Sequence, residues 1–156
     1  MSLTLTDRQI IWDTFCRTLI NDPNPAVRAK AATAIGKLHD PKFTPNLLTA
    51  LTEQSPIVRQ AIIQSLGQIG ATAAIPELIT TLTDPTPEVS AAAAIALGQL
   101  QAEPAIPALL QSLTASTVIV RSSAAQSLGQ IGSPLAVPPL LTAIQNATDS
   151  TALPGA

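Results

Sequence analysis

The sequence predicts an all-α fold, a right-handed α–α superhelix (an α-solenoid) of about four 31-residue helix pairs behind an N-terminal capping helix. Three observations predict it. Gly36, Gly67, Gly98 and Gly129 stand 31 residues apart, and so do Val27, Val58, Val89 and Val120 and the prolines at 45, 76, 107 and 138. No insertion breaks this register between Ile20 and Ile144. Hydrophobic residues make up 46% of the 156, yet aromatics only 2%, so the core must be built from Leu, Ile, Val and Ala, which suit closely packed helices.

The capping helix is expected at 6–21. Thr6 and Gln9 fit a capping box ahead of Ile10, Ile11, Phe15, Leu19 and Ile20. Arg8 and Asp13 make this helix more polar than its counterparts, as suits a terminal cap. Repeats follow at 22–52, 53–83, 84–114 and 115–146, all in one domain over 1–146, and 147–156 reads as a flexible C-terminal tail.

Each repeat holds two helical patterns. The first begins at a capping residue (Asn24, Ser55, Thr86 or Thr117) whose side chain can accept from the free N–H groups of the first turn. Pro25, Pro56 and Pro87 then supply the fixed φ of a first helical position, where Val118 stands in the fourth repeat. Apolar residues recur at helical spacing, as in Val58, Ile62, Ile63, Leu66 and Ile69, or Val120, Ala124, Ala125, Leu128 and Ile131. Gly70 and Gly132 suit left-handed helix ends. A glycine inside a helix costs about 1 kcal/mol against alanine. Its recurrence in all four first helices points to close helix–helix approach.

The second helix opens at the repeated proline and runs about three turns. Its core face reads Leu47, Leu48, Leu51, then Leu78, Ile79, Leu82, then Leu109, Leu110, Leu113, then Leu140, Leu141, Ile144. Helices this short need stacked neighbours. No cap follows Ile144, so the last repeat is expected to expose part of its apolar face, a possible surface for self-association.

The segments "DPNPAVRAKAATAIGKL", "EQSPIVRQAIIQSLGQIG" and "VRSSAAQSLGQIG" resemble HEAT repeats, and more narrowly the HEAT-like repeats of the phycobilin lyase class. The resemblance runs from about Asp7 to Ile144. It implies a structural ladder between adjacent repeats, made by an acid six positions before an arginine. Asp22 with Arg28 and Glu53 with Arg59 keep that pattern. Asp84 is kept with Ser90 in place of arginine, and Arg121 with Ala115 in place of the acid. The two departures imply a weaker ladder toward the C-terminus.

Chemistry is sparse. His39 is the only histidine and falls at a first-helix end, aligned with Gly70, Gln101 and Gly132. Hydroxylases of the HEAT fold bind di-iron through repeated His-Glu pairs, and this chain has no His-Glu dipeptide. No residue is assigned a catalytic or metal-binding role, and no cofactor is expected. Cys16 shares the core register of Leu47 and Leu78 and reads as a small hydrophobe, with a thioether-forming role in bilin transfer as the alternative. Lys and Arg total eight, the net charge is −2 and aromatics for base stacking are missing, which argues against nucleic acid. Ile95 replaces Thr33, Gln64 and Gln126 as an exposed contact or as drift, and Trp12 reads as core or as an interface anchor.

What remains is surface. In HEAT solenoids the second helices line the concave face. The outward positions here include Asn46, Thr49, Glu53, Glu77, Thr80, Gln111 and Thr142, short and mostly uncharged side chains that read as ordinary solvated surface or as a smooth groove. The expected function is a non-enzymatic scaffold or adaptor that binds another protein there. The alternative, implied by the resemblance, is a subunit or chaperone of a phycobilin lyase, with a phycobiliprotein or a second HEAT-repeat subunit as partner. A designed array would also show so regular a register, but the exposed positions differ between repeats and two ladder members are lost. A single cysteine, no basic-then-apolar leader and no long apolar run lead to the expectation of a cytoplasmic protein without membrane insertion.

Overall fold

The structure is a computed structural model and describes residues 2–151. Among them the order is α1 (Leu5–Asn21), α2 (Pro25–Leu38), α3 (Thr44–Ala50), α4 (Pro56–Gln68), α5 (Ile75–Thr81), α6 (Pro87–Gln99), α7 (Ile106–Ser112), α8 (Val118–Ile131) and α9 (Val137–Thr151). The first helices α2, α4, α6 and α8 stack one on the next, and each of α3, α5 and α7 packs beneath the first helix that follows it. The chain is an α-solenoid.

The core lies between these two layers. Val58, Ile62, Ile63 and Leu66 of α4 are fully buried, as are Leu47, Leu78 and Leu109 of the second helices. In the fourth repeat Ala125, aligned with the buried Ile63 and Ala94, is exposed, because no first helix follows α8 among the described residues.

Several local expectations are corrected. The capping box of α1 is made by Thr4 and Asp7, not by Thr6 and Gln9. The Thr4 hydroxyl accepts from Asp7 N at 3.1 Å, and the Asp7 carboxylate accepts from Thr4 N. Both quartets fit the spacing, and the earlier one wins because the helix starts at Leu5, which places Thr4 just outside it. Of the first-helix caps only Asn24 accepts from its own helix, at Ala26 N. Ser55 and Thr86 make no such bond. There the acid two residues upstream fixes the turn instead, with Glu53 Oε1 accepting from Ser55 N and Asp84 Oδ1 from Thr86 N. Thr117 has neither bond, since Ala115 stands where the acid would be.

The helices α3, α5 and α7 have seven residues each, about two turns instead of three. Each is entered through a short 3-10 turn, at Pro41–Phe43, Thr72–Ala74 and Glu103–Ala105. The last second helix is longer. It runs to Thr151, five residues into the segment read as a tail, because nothing between Gln145 and Thr151 is a Gly or Pro that would stop it. The rest of that segment, 152–156, lies outside the described residues.

The first-helix ends share one device. Gly70 and Gly132 have φ of 72° and 66°, and the aligned His39 and Gln101 adopt the same left-handed conformation at 51° and 53°. The backbone turn is therefore common to all four repeats, although only two carry the residue that adopts it without strain.

Candidate protein-binding surface and the ladder that shapes it

The repeats are joined along one edge by arginines. Arg28 Nε donates to Glu53 Oε2 at 2.8 Å and Nη2 to Glu53 Oε1 at 3.0 Å, while Nη1 donates to the Asp22 carbonyl at 2.7 Å. Arg59 repeats this with Asp84 at 2.9 and 3.1 Å, and its Nη1 donates to the carbonyls of Glu53 and Gln54. Each arginine thus takes the backbone of its own repeat and the carboxylate of the next. This bidentate geometry is the strong form of the interaction.

The ladder then stops. Ser90 donates to the Asp84 carbonyl at 2.8 Å, replacing one of the arginine's backbone bonds, and Ala115 stands in the next repeat at the position that Glu53 and Asp84 hold. Both partners of the third rung are lost together, so neither charge is left stranded. Arg121 keeps the backbone bonds, to the Ala115 and Ser116 carbonyls at 2.8 and 2.9 Å. Asp22 at the other end takes no arginine from the capping helix, and its carboxylate accepts from Asn24 N.

In the first rung the two charges act on each other. The Arg28 hydrogen bonds hold the Glu53 carboxyl below its ordinary value against the opposing effect of burial. Glu53 in turn raises Arg28. Glu53 is therefore occupied by the ladder and is not free on the second-helix surface, where it was also expected.

The second-helix surface itself carries Thr49, Glu77, Thr80, Gln111 and Thr142 exposed and Asn46 half-buried. The hydroxyls of Thr49, Thr80 and Thr142 donate to the carbonyls of Pro45, Pro76 and Pro138, four residues back. These donors are satisfied within their own helix, which leaves a smooth surface with few charges. Between α5 and α7 it deepens into an open groove of about 260 Å³ with Ile79, Leu82, Ala108, Ala115 and Val120 on its walls. Ala115, the residue that deleted the third rung, is one of them.

Other singled-out residues fall elsewhere. Trp12 stacks on the buried Phe43 at a centroid distance of 4.2 Å and so fastens α1 to the first repeat. Cys16 is buried, and burial followed by the nearby Asp13 raises its thiol above the ordinary value. Ile95 is exposed and lines a first-helix groove of about 340 Å³ with Gln64, Gln68 and Gln99. The exposed His39 ring lies 2.9 Å from the Lys37 carbonyl. Among the described residues no three of His, Cys, Asp or Glu gather as metal ligands, and no helix is long and apolar enough to cross a membrane.

Sequence reasoning missed two inter-repeat contacts. Ser65 and Ser127 are buried and donate across to the Ala32 and Ala94 carbonyls at 2.8 and 2.6 Å. Gln68, Gln99 and Gln130 lay their side chains over Gly36, Gly67 and Gly98 of the preceding repeat. The signal was the 31-residue spacing of the glutamines.

A family model described as HEAT repeats matches residues 13–87 and 75–153. No curated protein sequence matches the chain significantly. Among solved structures, the complex of CpcE and CpcF of phycocyanin lyase from Nostoc sp. PCC7120 aligns with a TM-score of 0.71 and 26% identity, over 95% of this chain and 94% of that one. Human deoxyhypusine hydroxylase in complex with glycerol aligns at 0.67 and 22% identity over 80% of this chain, which spans only 44% of the hydroxylase chain. An engineered protein aligns at 0.62 and 19% identity, over 84% of this chain and 67% of that one. The last two share the fold.

Proposed function

Since the chain belongs to the HEAT-repeat family, we propose that it is a non-catalytic scaffold that holds a partner protein on the surface of α3, α5, α7 and α9, the concave face of such solenoids. One observation carries this reading. The outward threonines spend their hydroxyls on their own helices, and the surface between α5 and α7 opens into an apolar groove where a ladder rung has been lost. A surface with few charges, whose threonine hydroxyls are already bonded, accepts a helix or extended segment at low desolvation cost. Asn46, Thr49, Glu77, Thr80, Gln111 and Thr142 are its contact residues, the compartment is the cytoplasm, and the ladder residues Asp22, Arg28, Glu53, Arg59, Asp84 and Arg121 set the shape.

A second reading is favoured by the likeness to the CpcE and CpcF complex along almost the whole chain. In it the protein is a subunit or chaperone of bilin attachment to, or removal from, phycobiliproteins, and works with a second HEAT-repeat chain.

Both readings meet one experiment. The wild type and a Thr49→Arg/Thr80→Arg variant are immobilised and offered a phycobiliprotein, an open-chain tetrapyrrole and whole lysate. Retention of a protein by the wild type alone supports the scaffold and its face. Equal retention by the variant rejects that face. An unchanged bilin absorbance across titrations with tetrapyrrole and phycobiliprotein rejects the second reading and leaves the first.

A further inference from the structure

The groove between α5 and α7 has two unlike ends. Its walls carry Ile79 and Leu82 from α5, Ala108 on α7, Ala115 just beyond it, and Val120 from α8. Successive second helices share one 31-residue register, so α5 and α7 run the same way and both enter at one end of the groove. Two acids stand at that end. Glu77 is in the first turn of α5, two residues before Ile79, and Glu103 opens the 3-10 turn that leads into α7. Both are exposed, and neither is in an ion pair among the described residues. A first-turn acid suits the dipole of its own helix, so Glu77 by itself signals nothing. The absence of any cation around it does. No Lys or Arg occurs between Arg59 and Arg121, and Arg59 is spent on Asp84. The other end, at Leu82 and Ala115, is where the third rung is missing, and there Arg121 Nη1 is held by the Ala115 and Ser116 carbonyls.

We propose, building on the scaffold reading of this face, that the groove takes a cationic amphipathic helix of the partner protein. The helix lies lengthwise between α5 and α7, with its apolar side on Leu82, Ala115 and Val120 and a Lys or Arg at Glu77 and Glu103. An extended segment fits less well. The wall helices use their backbone groups internally, so an extended chain would press unpaired N–H and C=O groups onto aliphatic walls, whereas a helix arrives with its own already bonded. A ridge of side chains on a helix is also the shape that fills a furrow between two others. Charge then selects among helices. An acidic one would bring its carboxylates to Glu77 and Glu103, with no cation between 60 and 120 to offset them.

The test offers the intact, immobilised chain a displayed library of helices on a stable helical scaffold, with one face randomised. Enriched sequences are made as peptides and titrated by fluorescence anisotropy. They are expected to carry aliphatic residues three and four apart, flanked by Lys or Arg. Glu77→Gln/Glu103→Gln is expected to weaken their binding about fivefold and to flatten its dependence on salt. Ser90→Arg/Ala115→Asp rebuilds the third rung on the pattern of Arg59 and Asp84. It is expected to raise the melting temperature, which shows that the variant is folded, and to weaken binding about tenfold or more by putting an ion pair into the apolar wall. Neutral or acidic enriched sequences, binding indifferent to these two variants, or no enriched helix at all overturns the proposal. The scaffold reading is scored separately by Thr49→Arg/Thr80→Arg. If that variant loses a lysate protein that Ser90→Arg/Ala115→Asp retains, the groove proposal falls and the surface stands; if both variants retain it, the surface falls as well.

Discussion

The junction between the first two repeats and the end of the fourth are built on one plan and differ in what is filled. At the first junction Arg28 closes on Glu53, Ser65 donates across to Ala32, and Gly36 is covered by Gln68. At the far end Ala125 and Gly129 hold the same places and are exposed, and a Cβ on Gly129 would meet nothing within 4 Å. The difference teaches that these residues are interface residues and not helix residues. Glycine is a poor choice for a helix interior and is kept where a neighbour must approach; arginine is kept where a carboxylate and carbonyls must be bridged.

Substitutions at matched positions should therefore separate the two regions. The largest contrast is expected in the core. Leu66→Ala, at a fully buried site, should lower stability by about 3 kcal/mol, whereas Leu141→Ala should change it by about 0.5 kcal/mol or less, both read from urea unfolding. Equal losses would mean that α9 is as well covered as α4.

Next come the arginines. Arg59→Ala removes a bidentate bond to Asp84 and two backbone bonds, and should cost about 2 kcal/mol, whereas Arg121→Ala loses backbone bonds and should cost about half that or less. The glycines should differ in sign. Gly67→Ala pushes a methyl toward the Ala96 backbone at 3.2 Å and the Gln99 side chain and should destabilise. Gly129→Ala should stabilise by about 0.5–1 kcal/mol.

A smaller effect is expected in acid. The folded-state pKa of Glu53 is lowered, chiefly by Arg28, so its contribution is complete above the ordinary glutamate range and drains away as pH falls through the folded value. Arg28→Gln should flatten the acid side of the stability profile, with no corresponding change at neutral or higher pH in the profile's slope. The smallest is at His39. Its φ of 51° is one that glycine adopts freely, and His39→Gly should raise the melting temperature slightly.

The repeat was legible because the same contact recurs every 31 residues, and a contact repeated so often leaves a spacing that chance does not. The ladder residues were legible for the same reason. Their partnership was not. An acid six positions before an arginine marks who shares a repeat, but the carboxylate bonds join Arg28 to Glu53 and Arg59 to Asp84, 25 positions on, and only packing decides that. The capping box moved from Thr6 and Gln9 to Thr4 and Asp7 because overlapping quartets both satisfy the pattern. The left-handed turns at His39 and Gln101 carry no glycine to announce them. On the second-helix surface the exposed threonines were legible, but their hydroxyls' bonds to the proline carbonyls were not, and those bonds decide what the surface offers a partner.

Native-state hydrogen exchange read by mass spectrometry tests most directly whether the solenoid is closed through its middle and open at its C-terminal end. The expected result is strongest protection in α4 and α6, which have first helices on both sides, and clearly weaker protection in α8 and α9. Protection of α8 and α9 equal to that of α4 and α6 in the isolated chain would contradict it.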